Sequence, residues 1–94
     1  MKKIVKGRIY NTDKAKLIGN WKTKDIPKTD TDYKEINIYK KKSNEYFGIY
    51  LYWTENSEFI KSLDTDLNVE NVKAILNNCN LTTAYIKEFG RKKE

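Results

Sequence analysis

Apolar and polar side chains alternate from Ile4 to Tyr10, with Val5, Gly7 and Ile9 on one side and Ile4, Lys6, Arg8 and Tyr10 on the other. A period of two predicts a strand. Asn11-Thr12-Asp13 reads as a turn or helix cap, Lys14 to Ile18 as a short helical or extended stretch, and Gly19-Asn20 as a turn before a second strand at Trp21. The stretch from Lys24 to Asp32, which holds the single proline, Pro27, reads as a loop. Tyr33 to Lys41 alternates again, and Ser43-Asn44 supplies a hairpin turn. Glu45 to Thr54 is the strongest strand signal, because aromatic and β-branched residues fit a pleated surface. Its apolar side is Phe47, Ile49, Leu51 and Trp53; its other side is Tyr46, Gly48, Tyr50 and Tyr52. Ser57 to Leu63 predicts a short edge strand.

The period then changes. After a cap at Asn68, Val69, Val72, Ile75, Leu76 and Cys79 share one helical stripe. A second helix begins at Asn80 or Thr82, with Leu81, Tyr85 and Phe89 four residues apart, and Gly90 is a natural stop. The fold class is therefore α+β: an antiparallel sheet of three to five strands with two C-terminal helices packed on one face. Residues 1–90 are expected to form one domain and residues 91–94 a basic tail. The helices are expected to cover Ile36, Ile38 and the Phe47–Trp53 side, leaving an open face lined with tyrosines.

Composition sharpens this picture. With 94 residues the chain suits one domain, and its seven Tyr, three Phe and two Trp mark it as a folding sequence although only 38% of residues are apolar. One cysteine excludes an internal disulfide. Basic residues at the N-terminus are not followed by a long apolar run, so a cytoplasmic protein with no membrane contact is expected. The net charge of +6 is uneven. Residues 1–42 carry 13 Lys/Arg and 5 Asp/Glu, residues 43–89 carry 3 and 7, and the last five carry 3 and 1. The basic half fits nucleic acid or an acidic protein face, and a Lys, Asn, Ile and Tyr bias also fits plain solubilisation.

Little catalytic chemistry is open to the chain. It has no histidine, the commonest general base and metal ligand, and one cysteine cannot build a zinc site. Cys79 lies on an apolar stripe and reads as a buried structural thiol. Asp30-Thr31-Asp32 and Asp64-Thr65-Asp66 lack the glycine and closing glutamate of a calcium loop and read as turns or caps. The four glycines are scattered, so no phosphate-binding loop is present. No catalytic residue, cofactor or metal is expected.

The tyrosine side is the informative feature. Tyr46, Tyr50 and Tyr52, joined by Tyr39, Tyr33 and Tyr10 in the right register and flanked by Lys6 and Arg8, form a candidate binding surface. Rings beside cations can stack bases and hold phosphates, they can anchor a protein interface, or they can simply be good strand formers. An RNA-recognition motif is a poor match to Tyr46-Phe47-Gly48-Ile49-Tyr50: an aromatic should stand at Ile49, and the element order is wrong.

Lys6-Gly7-Arg8-Ile9-Tyr10-Asn11-Thr12-Asp13-Lys14-Ala15 resembles the opening of a family of small mobile-element proteins of Gram-positive bacteria, which carry a Tyr-Asp-Thr-Asp-Thr-Ala signature. Ile38 to Phe47 resembles that family's hairpin, in which a basic run and a glycine precede Tyr-Phe, and the helices ending at Phe89-Gly90 resemble its closing pair. Asn11 stands for the first Asp of the signature, Lys14 for its second Thr and Asn44 for the hairpin glycine. Tyr52-Trp53-Thr54 stands where the family has a glycine pair. Some proteins of this kind look like anti-CRISPR proteins. The resemblance implies a stoichiometric, non-enzymatic inhibitor that binds a CRISPR effector protein or its guide RNA complex, type II first. The alternative expectation is a nucleic-acid-binding accessory or regulatory protein of a mobile element. A charge of +6 argues against DNA mimicry.

Overall fold

A computed structural model describes residues 1–90; the basic tail expected at 91–94 lies outside the described residues. Two antiparallel sheets and two helices make an α+β fold. The first sheet is a hairpin of β1 (Lys2–Val5) and β2 (Arg8–Asn11). The second is a four-stranded meander of β3 (Lys16–Lys22), β4 (Lys34–Lys40), β5 (Tyr46–Trp53) and β6 (Phe59–Leu67), with β3 and β6 at its edges. The helices α1 (Val69–Asn78) and α2 (Thr82–Phe89) follow, as their 3.6-residue period predicts.

Turn chemistry sets the strand boundaries. The run from Ile4 to Tyr10 is two strands, not one, because Lys6 and Gly7 have φ of 50° and 77° and close a two-residue turn. Two left-handed residues match the twist of the strands they join. The β4–β5 turn has three residues. Lys41 and Glu45 close it, with Lys41 N–H donating to the Glu45 carbonyl at 2.8 Å, and Asn44 takes φ 69°. Asparagine tolerates this region, so Asn44 closes the turn without a glycine. The β5–β6 turn repeats the design with Ser57 at φ 60°.

Other boundaries moved. Gly19-Asn20 is not a turn but lies inside β3, at a register shift between Leu17 and Gly19. Gly19 is needed there: a Cβ would stand 2.8 Å from the Leu76 side chain and 3.5 Å from that of Leu81. The last strand is nine residues long and includes Asp64-Thr65-Asp66, which therefore form neither turn nor cap. Asn68 and Asn71 exchange side chain-to-backbone hydrogen bonds that cap α1. The helix ends with Asn80 at φ 57°, its N–H on the Asn77 carbonyl and Leu81 N–H on that of Leu76. This left-handed cap turns the chain into α2.

The helices cover one sheet face, but not the expected combination of residues. Register pairs Ile36 with Tyr50, Ile38 with Gly48, and Lys40 with Tyr46. The isoleucines of β4 thus share a face with the tyrosines of β5. That face meets Val72 and Leu76, with Tyr85 and Phe89 partly buried beside them. Phe47 and Ile49 point the other way and are covered by the N-terminal hairpin, chiefly Tyr10, with Met1 and Val5. The expectation that helices would lie on the Phe47 side is corrected by this register.

Candidate binding surface

The eight residues expected to share a surface divide between the two faces and the hairpin. Lys6 is exposed at the β1–β2 turn, and Arg8 is exposed in β2, where its Nη1 pairs with Glu45 Oε2 at 2.9 Å. Tyr10 is buried, its ring edge-on to Phe47 at 5.4 Å, and Tyr39 stacks on the same phenylalanine at 5.2 Å. Tyr46 is buried beneath α2, and its hydroxyl donates to Glu88 Oε2 at 2.6 Å. Tyr50 is half-buried, with its hydroxyl 3.1 Å from Asp64 Oδ2. Tyr52 alone stays at the sheet margin, 36% exposed. The open tyrosine face is therefore not formed: a buried tyrosine needs only a partner for its hydroxyl, and Glu88 and Asp64 supply two.

These partners hold the hydroxyls in their neutral form. Burial first, and then the hydrogen bond and charge of Glu88, push the Tyr46 hydroxyl well above its ordinary pKa of 10.0. Burial and then Asp64 do the same for Tyr50. Burial also tends to raise Glu88, but hydrogen bonds from Lys40 and Tyr46 prevail and hold its carboxyl below the ordinary value. Lys40 Nζ lies 2.8 Å from Glu88 Oε2, so one carboxylate ties β4, β5 and α2 together.

A second polar cluster sits on the hairpin-side face. The Tyr33 hydroxyl donates to Glu35, Asn37 Nδ2 donates to Glu35 Oε2 at 2.9 Å, and Asn20 donates to Asn37. The Tyr33 hydroxyl is pushed up to about 12, first by this bond. Glu35 is lowered: burial opposes its ionisation, and the bonds from Tyr33 and Asn37 outweigh burial. Every member has a partner, and a tyrosine so held is a poor acid and a poor nucleophile. Burial raises the Cys79 thiol, which leaves it unactivated. Among the described residues no three His, Cys, Asp or Glu side chains are placed to hold a metal ion, and no helix is long and apolar enough to cross a membrane.

What the fold does assemble is a basic end. Lys14 in the loop after β2, Lys16 at the start of β3, Lys40 at the end of β4, and Lys41 and Lys42 at the β4–β5 turn border one depression of about 590 Å³. Its lining holds five lysines against one acid, Asp13. An adjoining depression of about 550 Å³ runs from Lys14 and Lys42 to Lys2 and Ile9 on the hairpin. Lys40 is committed to Glu88, and Lys41 lies over the Tyr10 ring, 4.6 Å from its centre and 3.9 Å from Glu45. Lys14, Lys16 and Lys42 make no ion pair among the described residues and are exposed or at the rim. Antiparallel pairing of Lys16 with Lys40 brings the two basic segments together. The run Lys40-Lys41-Lys42 was the available signal in sequence; the contribution of Lys14 and Lys16 depends on strand register.

No family model matches the chain, and no curated protein and no solved structure resembles it significantly.

Proposed function

We propose that this chain is a non-enzymatic binding protein that holds a nucleic-acid backbone against its basic end. In this reading the nucleic acid is the guide RNA of a CRISPR effector, type II first, which the chain inhibits stoichiometrically in the cytoplasm of a bacterial host. The observation that supports the contact is the convergence of Lys14, Lys16 and Lys42 where one aspartate stands against five lysines. Ammonium groups so placed neutralise phosphates and release their counterions. The effector as target is supported by the resemblance of the hairpin and N-terminal segments to the mobile-element family. The same basic end favours a second reading, an accessory or regulatory protein of a mobile element that binds nucleic acid without touching an effector.

Fluorescence anisotropy with a labelled single-stranded RNA tests the contact. With about three phosphates neutralised, affinity should fall roughly tenfold or more between 50 and 200 mM salt. Lys14→Glu/Lys42→Glu should abolish binding and leave the melting temperature unchanged. In a target-DNA cleavage assay wild type should block a type II effector at equimolar ratio, and the double variant should not. Absence of RNA binding at low salt contradicts the contact. RNA binding without inhibition of any effector contradicts the inhibitor reading and leaves the accessory one.

A further inference from the structure

A second surface lies at the sheet edge beside α2 and meets the Lys14–Lys42 depression at Lys16. β3 pairs only with β4, so one side of its backbone has no neighbouring strand. Thr23 N–H donates to the Lys34 carbonyl, and register is unbroken from Lys22 back to Gly19. Antiparallel ladders alternate, so Trp21 turns its backbone groups toward β4 while Asn20 and Lys22 turn theirs outward. The alternation leaves these outward groups without a bond to β4, and no turn, loop or cap bond reaches them among the described residues.

Beside this edge runs a groove of about 560 Å³ between Lys16–Asn20 and the start of α2. Gly19 lets Leu76 and Leu81 seat closely, which holds α2 next to the strand. The groove has apolar walls at Leu17, Ile18 and Leu81 and basic ends at Lys16 and Lys87. Its one acid, Glu88, is already bonded to Lys40 and Tyr46. Leu81 gives α2 no side-chain cap, so the first-turn amides of Thr82, Thr83 and Ala84 add positive potential on the same side. The other sheet edge differs: β6 carries Asp64 and Asp66.

We propose that this groove takes an extended acidic peptide segment of a partner protein, added to β3 as a fifth strand. Backbone bonds to Asn20 and Lys22 would give affinity, and alternate side chains would give specificity: carboxylates toward Lys87 and the α2 amides on the helix side, apolar ones toward Leu17 on the other. Strand addition needs an open edge with a flanking groove, and the charge of the groove selects acidic over basic sequence. The two surfaces share Lys16, while Lys87 and the first turn of α2 belong to this one alone.

The test is an NMR titration of the isotope-labelled chain with a blocked (Glu-Val)₅ peptide, with (Lys-Val)₅ as control. Saturable shifts are expected for Asn20, Lys22 and Thr82 to Ala84 with the acidic peptide only, and amide exchange at Asn20 and Lys22 should slow at least tenfold. Lys87→Glu should weaken binding at least tenfold without changing the fold. Asn20→Pro, which deletes an outward donor, should abolish it; if that variant unfolds, Lys87→Glu and the exchange rates decide. Lys14→Glu/Lys42→Glu should bind the peptide as wild type does, whatever becomes of RNA binding. Equal binding of both peptides, no shifts, shifts confined to the basic end, or concentration-dependent shifts at Asn20 and Lys22 without peptide, meaning that a second copy occupies the edge, would each overturn the proposal.

Discussion

The two faces of β5 bury aromatic residues by different physics. On the hairpin side Phe47 is fully buried between Tyr10 and Tyr39, a packing of rings whose gain is mainly apolar area and edge or stacked geometry. On the helix side Tyr46 and Tyr50 are held by hydroxyl bonds to Glu88 and Asp64 as well as by contact with the helical core. The ring packing around Phe47 uses no carboxylate. The helix side is built around a carboxylate, and its stability depends on the ionisation state of its members. A polar atom on an aromatic ring thus does not assign it to solvent; the presence of a partner decides.

Truncation should break both faces at large cost. Phe47→Ala should cost about 3–5 kcal/mol and Leu76→Ala about 2–5, measured by chemical denaturation, because both side chains are fully buried and would leave cavities. Leu51 and Ile75 are only half-buried, so their truncation should cost less. If Phe47→Ala melts like wild type, the hairpin does not form a second core.

The polar mechanism of the helix side separates in the next two variants. Glu88→Ala should cost about 2–3 kcal/mol, since it strands the Tyr46 hydroxyl and a partly buried Lys40. Tyr46→Phe should cost about 1–2 kcal/mol, because Glu88 keeps its lysine. Equal costs for the two variants would mean that Lys40 contributes nothing.

Smaller effects follow from pH. Tyr46, Tyr50 and Tyr33 have raised pKa values when folded, so their stabilisation is complete below the ordinary value of 10.0 and is lost as pH rises above it. Glu88 and Glu35 are lowered, so their stabilisation is present above about 4.5 and is lost as pH falls below it. Melting temperature should form a plateau between these limits, and Tyr46→Phe should flatten the alkaline limb. A Tyr46→Phe limb as steep as that of wild type would contradict the role of Glu88. The smallest change is expected from Tyr52→Ala, about 0.5 kcal/mol or less, since this ring lies at the margin.

Element type was legible wherever a period was sustained, as in β5 and α1. Facing was not. Tyr46 meets Glu88 across 42 residues of sequence, and alternation along one strand carries no record of so distant a partner. The first strand was read as continuous because Lys6-Gly7 lacks the asparagine or aspartate that usually marks a two-residue turn. Asp64 and Asp66 looked like turn residues, yet β6 is an edge strand, where charged side chains reach water or a partner such as Tyr50. Of the candidate surface, Lys6 and Arg8 are exposed, whereas its six tyrosines are buried, half-buried or at the sheet margin. The basic end was half legible: the Lys40–Lys42 run is local, but its union with Lys14 and Lys16 is a product of register.

Amide shift mapping of the labelled chain with a short single-stranded RNA at low salt tests the central claim, that the binding surface is the basic end and not the β5 tyrosines. The account predicts shifts at Lys14 to Lys16 and Lys40 to Asn44 that fade as salt is raised, with Tyr46, Tyr50 and Tyr52 unmoved. Shifts centred on Tyr50 and Tyr52, or none at the lysines, would contradict it.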